Sequence, residues 1–176
     1  MLIKLEKFKM SDAKDLISWI PNQEFLMQWG GPSYTFPLTE EQLYGEFEIS
    51  SSEHPKMLMF SVRLCDTNEL VGHIQLLHID LVNMSARIGR VLVGDKNHRN
   101  KGIGVEMINS ILSIAFDTLK LHRVDLGVFD FNKSAIACYE KAGFKIEGIL
   151  RDSRKIDEEY WSLINMSVLE HEYRSL

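Results

Sequence analysis

The chain has 176 residues, of which 45% are hydrophobic and 26% charged, and its formal net charge is −5. This length and composition suit a single globular domain over residues 1–176 and argue against disordered and fibrous proteins. The negative charge argues against a general nucleic-acid binder, and no apolar run reaches the roughly 20 residues that cross a bilayer. Because the N-terminus lacks a signal-peptide core, we expect a cytoplasmic protein that binds neither nucleic acid nor membrane.

The two cysteines, Cys65 and Cys138, have no metal-ligand spacing and form no disulfide framework. We therefore predict two buried free thiols and no metal site. Cys138 stands beside Tyr139, but a helix neighbour points about 100° away and no partnered histidine is evident. A covalent acyl-cysteine mechanism is accordingly disfavoured.

Hydrophobic periodicity and turn residues divide the chain into strands and helices. In chain order we predict a strand at 2–8, helices at 11–20 and 39–50, strands at 57–64, 70–77 and 85–93, a helix at 104–120, a strand at 124–128, a helix at 132–142, and strands at 144–150 and 161–169. A capping box of Thr39 and Gln42 should begin the second helix, and the strands on either side of 66–68 should form a hairpin. The expected fold class is α+β, with a mixed sheet that is parallel in its second half.

Aromatic residues are concentrated between the first two predicted helices, at Trp19, Phe25, Trp29, Tyr34 and Phe36. The favoured interpretation is that they pack on the core as a lid. The alternative is that they form one wall of an acceptor pocket, because ligand pockets are lined mainly by apolar and aromatic groups.

The segment 91–104 has the layout of an anion-binding loop, in which an apolar strand, a cationic loop and a long amphipathic helix follow one another. The first turn of a helix has free N–H groups and a positive dipole end, which stabilise a phosphate. Gly102 and Gly104 would let the backbone approach the phosphate closely, while Arg99 and Lys101 add charge. Asn100 can adopt the left-handed conformation that such a loop often needs.

A second informative segment runs from Asn132 to Phe144. Asn132 is a credible helix N-cap, Tyr139 lies two turns further along the same helix, and Gly143 is suited to end it. Taken by itself, Tyr139 is best interpreted as a core tyrosine with a satisfied hydroxyl.

Together, the two segments resemble the GNAT superfamily of acetyl-coenzyme A (acetyl-CoA) dependent N-acetyltransferases. Arg99, Gly102 and Gly104 match an R-x-x-G-x-G pyrophosphate motif, and 132–144 matches N-x-x-S/A-x-x-x-Y-E-K-x-G-F. The chain looks most like the branch that contains ribosomal-protein N-terminal acetyltransferases and spermidine acetyltransferase, with a specific resemblance over about 70–169. The resemblance implies a GNAT-like three-layer α/β/α fold whose central mixed sheet is splayed.

The resemblance also implies roles for individual residues. Backbone groups of Val91, Leu92 and Val93 would bind the pantetheine arm, and Asn132 would contact the pantetheine or the adenosine side. The pyrophosphate would be held by the amides of the loop, from Arg99, Asn100, Lys101, Gly102, Ile103 and Gly104. A backbone N–H of the central strand would meet the developing oxyanion. Tyr139 would be the general acid for the leaving sulfur, because a phenol with a pKa near 10 is protonated at neutral pH.

Three positions depart from the pattern of the relatives. Asn100 replaces a common glycine, Arg87 stands where this branch often has glutamate, and Ser162 stands near a frequent aspartate, so the usual base and acceptor contacts are not carried over. The sequence does not identify the general base. The polar residues in regions plausible for a base are Glu24, His73, Gln75, His78, Asp80 and Glu159, but each is expected to be a solvated surface group, and a water chain to bulk solvent is an equal alternative. The acceptor stays open between a protein N-terminal amine and a small amine such as a polyamine, an amino sugar or an aminoglycoside.

Two other functions are alternatives to acetyl transfer. The departures at Arg87 and Ser162 would suit a non-catalytic acetyl-CoA-binding module used as a sensor or interaction surface. Gly102 and Gly104 after a strand would suit a dinucleotide-binding oxidoreductase, but the third glycine is replaced by Met107 and the strand-helix alternation is missing from the first half. A homodimer is common among proteins of this kind, although the sequence identifies no interface.

Overall fold

Seven strands form one sheet in the computed structural model, which describes residues 2–175. In chain order the strands are β1 (Ile3–Lys7), β2 (Leu58–Leu64), β3 (Leu70–Asp80), β4 (Ser85–Val93), β5 (Arg123–Phe129), β6 (Lys145–Ile156) and β7 (Glu159–Leu169). They lie in the order β1-β2-β3-β4-β5-β7-β6, and β4 and β5 run parallel while the other described neighbours run antiparallel. The predicted mixed sheet and the β2–β3 hairpin are confirmed, but the parallel part is a single pair of strands.

Six α-helices accompany the sheet within the same residues, and they are α1 (Ala13–Ser18), α2 (Gln23–Gly30), α3 (Glu40–Ser50), α4 (Ile103–Ser113), α5 (Lys133–Lys141) and α6 (Glu170–Tyr173). A π-helical turn at Ile114–Thr118 extends α4. Helices α2 and α6 were not predicted. Asn22 caps α2 by accepting a hydrogen bond from the Phe25 N–H at 2.8 Å. No helix in 2–175 is long and apolar enough to cross a membrane.

The helices cover both faces of the sheet, so the predicted three-layer architecture is confirmed. One apolar core contains residues of α4 and α5, and a second contains residues of α1, α2 and α3. Met59 belongs to the second core and its neighbour Phe60 to the first. Because successive strand residues point to opposite faces, the two cores lie on opposite sides of the sheet.

Strand β4 contains a β-bulge that changes which side of the sheet its residues face. Between the pairs His73–Leu92 and Gln75–Gly89, β4 uses one residue more than β3, and Arg90 has a φ of 52°. Such an extra residue bends the strand and re-aims the side chains beyond it. Ile88 therefore packs in the first core, whereas Leu92, four residues on, packs in the second.

Two local predictions were wrong in part. Thr39 caps α3 by accepting from the Gln42 N–H at 3.4 Å, but the Gln42 side chain bonds to Thr35 and Pro37 instead of completing the capping box. Cys65 is exposed rather than buried, because it follows the end of β2 in a surface turn. Cys138 is half-buried, and both thiols are free.

Candidate functional site

The site lies where β4 and β5 separate. Their paired register runs from Ser85 and Arg123 to Ile88 and Leu126 and ends there. Beyond this point a cavity of about 550 Å³ is lined by both strands, by the loop after β4, and by residues of α2, α4 and α5. The sheet is thus splayed, as the resemblance implied.

The open side of β4 offers backbone groups to this cavity. The Gly94 N–H donates to Val71 O on β3 at 2.9 Å, so Gly94 faces β3 and Val93 faces away from it. Val91 lies within the bulge and lines the same cavity. Among the described strands, none pairs with β4 on this side after Ile88. A ligand lying in the gap can use these groups as a further strand would.

The loop after β4 delivers free amides at the start of α4. Asn100 has a φ of 60° and Gly102 a φ of 83°, so the left-handed conformation expected for Asn100 is confirmed. Gly102 is the N-cap, and the first helical bond is that of the Glu106 N–H to Gly102 O at 3.1 Å. The preceding N–H groups of α4 therefore have no helical partner, which makes this end suitable for an anion.

The cationic residues of the loop are placed differently from one another. Arg99 donates from Nε to Val93 O at 3.1 Å and from Nη2 to Gly94 O at 3.4 Å, so its guanidinium ties the loop to the end of β4. Lys101 is exposed and stands outside the cavity lining, and the Ile103 side chain is buried in the core. For Lys101 and Ile103, only the backbone amides remain as predicted contacts of a phosphate.

Helix α5 places Asn132 and Tyr139 on the other side of the cavity. Asn132 caps the helix, as predicted, by accepting from the Ala135 N–H at 3.2 Å. Tyr139 is only 8% exposed, so it is a core residue that also lines the cavity. Burial, and then the neighbouring Cys138, raise the pKa of Tyr139, so its hydroxyl keeps its proton at neutral pH.

Cys138 is not activated as a nucleophile. Burial raises the pKa of its thiol, and a thiol reacts as the thiolate. Its Sγ lies 3.3 Å from the position that a Cβ on Gly104 would occupy, so a glycine at 104 allows α4 and α5 to pack closely.

Arg87 and Ser162, the two strand residues that depart from the pattern of the relatives, have structural roles. Arg87 forms an ion pair with Asp125 on the adjacent strand and contacts Asn165 Oδ1 at 3.5 Å. The Ser162 hydroxyl accepts from the Asp152 N–H at 3.1 Å across the β6–β7 hairpin. Both side chains therefore bind neighbouring strands.

The α2 end of the cavity is formed by helix α2 and the bulge in β4, which contribute Phe25, Gln28, Trp29 and Arg90 to its lining. Sequence reasoning missed Gln28 and Arg90 and placed Phe25 and Trp29 only in an aromatic segment. Trp29 both packs in the second core and lines the cavity, so it combines the two interpretations of that segment. The available signal for Arg90 was a charged residue within the otherwise apolar run 88–93.

Arg90 is held by a buried polar network. It donates to Glu46 Oε1 at 2.6 Å and to Gln75 Oε1 at 2.8 Å, and its guanidinium lies 4.8 Å from the centre of the Tyr34 ring. Gln75 also lies 3.0 Å from His73 Nε2. The expectation that His73 and Gln75 are solvated was wrong, since both are at most 1% exposed. The bulge in β4 brings Arg90 to the same side as these residues of β3.

Three groups beside the loop could in principle hold a cation. Ligand atoms of Glu69, Asp95 and His98 all lie within 4.8 Å of one another, and Glu69 is exposed. His98 lies 3.7 Å from Asp95 and 3.9 Å from Glu69, which are distances of loose ion pairs. Nothing else among the described residues points to a metal here, and the sequence prediction of no metal stays a prediction.

Comparison with known proteins agrees with this geometry. The family described as acetyltransferase (GNAT) domain matches residues 3–145. The probable N-acetyltransferase YjcK of Bacillus subtilis is 37% identical over 99 residues, which are 56% of this chain and 54% of that protein, so the match spans about half of its length. Spermidine N(1)-acetyltransferase of Vibrio cholerae is 26% identical over 97% of this chain and 95% of that protein.

A solved structure extends the comparison to the whole fold. The crystal structure of spermidine N-acetyltransferase from Vibrio cholerae in complex with CoA and spermine has a TM-score of 0.84 and 23% identity, and 98% of each chain is covered. At this identity the likeness is one of fold. The family match over most of the chain, together with the splayed sheet and the amides of α4, places this protein in the GNAT family as an acetyl-CoA-dependent N-acetyltransferase.

Proposed function

We propose that the gap between β4 and β5 binds acetyl-CoA in an extended form and that acetyl transfer to a primary amine takes place at its inner end. The observation that carries this proposal is the continuity between the open side of β4 at Val91 and Val93 and the free amides at the start of α4. The residues fit this cosubstrate, because one part of the cavity offers strand-like backbone groups and the next a helix N-terminus suited to a pyrophosphate.

The chain's own residues have separate tasks in the transfer. The cosubstrate supplies an acetyl thioester. The C–N bond forms as the C–S bond breaks, so one proton must leave the amine and one must reach the sulfur. Tyr139 donates the proton to the sulfur, since it lines the cavity and stays protonated. A backbone N–H on the open side of β4 stabilises the negative charge that develops on the carbonyl oxygen.

Removal of the amine proton requires a base or water, since an alkyl ammonium has a pKa near 10.4. His73 is unsuited to this task. Burial, and then the charge of Arg90, lower the pKa of His73 to about 3, and the ring stands outside the cavity lining. The carboxylate of Glu46 is engaged by Arg90 and Tyr34. We therefore assign deprotonation to solvent that reaches the cavity.

Calorimetric titration with acetyl-CoA and an assay of coenzyme A release test these roles. Tyr139→Phe should leave the affinity for acetyl-CoA within about twofold and lower turnover at least tenfold, because a positioned proton donor contributes on that scale. The matched control is Tyr44→Phe, which removes a hydroxyl from a residue that is 49% exposed on α3. Unchanged turnover in Tyr139→Phe would remove Tyr139 from the mechanism, and no binding at millimolar acetyl-CoA would contradict the proposed site.

We also propose that residues 1–176 act as a single N-acetyltransferase domain in the cytoplasm and assemble as a homodimer. The two free thiols suit a reducing compartment.

An interface is suggested by the edge strand β6, where Ile146, Ile149 and Leu150 are all at least half exposed. Light scattering of the wild type and of an Ile149→Lys variant tests this dimer. The wild type should have the mass of a dimer, and the variant should have the mass of a monomer.

A further inference from the structure

The bulge in β4 is built on a backbone conformation that a residue with a side chain rarely adopts. Between Gly89 and Leu92, β4 has two residues where the facing stretch of β3 has one, and the first of them, Arg90, has a left-handed φ of 52°. This region of φ is unfavourable for an L-residue, and glycine is the residue that adopts it freely. Such a conformation persists where the surrounding contacts hold it. The bulge therefore depends on what the Arg90 side chain binds.

A carboxylate from a distant part of the chain anchors that side chain. Glu46, on α3, accepts from Arg90 Nη2 at 2.6 Å, and the two side chains are only 16% and 7% exposed. The second oxygen of Glu46 accepts from the Tyr34 hydroxyl, so both carboxylate oxygens are engaged. Gln75 on β3 accepts from Arg90 Nη1 at 2.8 Å. Because a buried ion pair is little screened by solvent, loss of one partner leaves an uncompensated charge and weakens the anchor.

The place of the bulge in β4 links this anchor to the gap between β4 and β5. The paired register of the two strands ends at Ile88, just before the bulge, and Val91 and Val93 line the cavity after it. The bulge reverses the facing of the strand, since Ile88 packs in the first core and Leu92 in the second. Without the extra residue, β4 would turn its other set of side chains and backbone groups toward the cavity. The groups that β4 offers to a ligand thus depend on the bulge.

We propose that Glu46 is a positioning residue for acetyl-CoA binding, which acts through Arg90 to keep the β4 bulge in the form that accepts the pantetheine arm. This inference rests on the proposed function, because it concerns the same gap. Glu46 is not among the described lining residues of the cavity, so it acts on the cosubstrate only indirectly. The ion pair sets the balance between a formed and a relaxed bulge before acetyl-CoA arrives. Loss of the pair lowers the competent fraction and raises the apparent Kd by the same factor.

A shift of this balance has a kinetic signature. Saturating acetyl-CoA draws the relaxed protein back into the competent form, so the KM for acetyl-CoA rises while kcat is preserved. A carboxylate that took part directly in proton transfer would instead lower kcat when it is replaced. A residue that only stabilises the fold changes the free energy of unfolding and leaves both constants of the folded protein unaltered.

Calorimetric titration with acetyl-CoA tests the role of Glu46, together with coenzyme A release using spermidine and alanine amide as acceptors. Glu46→Gln keeps the shape of the side chain and removes its charge. It should raise Kd and KM for acetyl-CoA about five- to tenfold, the scale of one hydrogen bond, and leave kcat within about twofold of the wild type. Arg90→Lys keeps a positive charge beside Glu46 and should raise both constants less than Arg90→Met does.

The matched control is another buried carboxylate in an ion pair. Asp12 is 6% exposed, pairs with Arg63 at 2.7 Å, and is not among the described lining residues of the cavity. Asp12→Asn should lower the free energy of unfolding in urea and leave the Kd for acetyl-CoA within about twofold of the wild type, because its partner lies outside the bulge.

The outcomes separate this inference from the proposed function. An unchanged Kd in folded Glu46→Gln, an equal rise in Asp12→Asn, or a fall in kcat with unchanged KM would overturn the role of Glu46 while the site stands. If the wild type does not bind acetyl-CoA at millimolar concentration, the proposed site itself fails. Should Glu46→Gln not fold, Tyr34→Phe removes the hydroxyl that bonds to Glu46 and keeps the ring. It should raise the Kd in the same direction, and an unchanged Kd there would contradict the inference equally.

Discussion

The buried ring of His73 makes the stability of the fold depend on pH in a predictable direction. In the folded protein, burial and the charge of Arg90 lower the pKa of His73 from 6.5 to about 3. The unfolded chain binds a proton near pH 6.5 and the folded chain does not, so stability is complete above that pH and is lost progressively as the pH falls toward 3. At pH 5, about 1.5 pH units below the unfolded pKa, the loss is about 2 kcal/mol relative to pH 8.

Urea unfolding at pH 8, 6.5 and 5 measures this loss. His73→Gln replaces the ring by a side chain that does not titrate and can still bond to Gln75, so the variant should lose about 2 kcal/mol less than the wild type between pH 8 and pH 5. The control is His54→Gln, which removes an exposed histidine and should keep the wild-type dependence. Equal losses in the wild type and in His73→Gln would refute the reasoning, because they would mean that His73 is protonated in the folded state as well.

Three further predictions concern packing and the proton donor. A Cβ on Gly94 would lie 2.0 Å from the Trp19 ring, so Gly94→Ala should destabilise the protein by about 1–3 kcal/mol in urea unfolding. Gly45 is an exposed position of α3 where a Cβ meets nothing within 4 Å, so Gly45→Ala should instead stabilise the protein by about 0.5–1 kcal/mol. Equal effects of the two substitutions on the free energy of unfolding would contradict the packing of Gly94 against Trp19. Ile111, fully buried under the sheet, should cost about 2–5 kcal/mol on replacement by Ala, whereas half-exposed Ile49 on α3 should cost under about 1 kcal/mol by the same measurement. The raised pKa of Tyr139 predicts that its protonation does not limit turnover below about pH 10, and a Tyr139-dependent decline between pH 7 and 9 would contradict it.

The local geometry at the loop end of the cavity could be predicted because its determinants are local in the sequence. Asn100 adopts its expected left-handed φ, and Asn132 caps its helix through a hydrogen bond to a residue three positions on, as predicted. Glycine freedom, helix capping and the free amides of a first turn act over the same short range. The order of strands and helices along the chain then predicted a mixed sheet. It did not predict that β7 lies between β5 and β6.

The α2 end of the cavity could not be predicted in the same way, because its contacts join distant parts of the chain. Arg90 meets Glu46 and Gln75, which are 44 and 15 residues away. That contact depends on the bulge in β4, and the bulge has no distinct sequence signal here. Helix α2 was also missed, since Pro21 precedes it and Gly30 and Gly31 end it, which leaves it only about two turns long. Burial of His73 was missed for the same reason, as it follows from packing by Phe8 and Trp29.

The bulge in β4 joins the loop end and the α2 end of the cavity within one strand. In a regular strand Ile88 and Leu92 would lie on the same face of the sheet, because side chains alternate between the two faces and residues four apart share one. In this protein they belong to opposite cores, so the strand reverses its facing between them. The same bulge carries Arg90 to the polar network at the α2 end of the cavity, while Val91, the next residue, lines the cavity. Deletion of Arg90, the one residue between Gly89 and Val91, removes the bulge together with the guanidinium. It should therefore weaken acetyl-CoA binding, measured by calorimetric titration, as well as turnover, measured by coenzyme A release, and unchanged acetyl-CoA binding would contradict the role of the bulge.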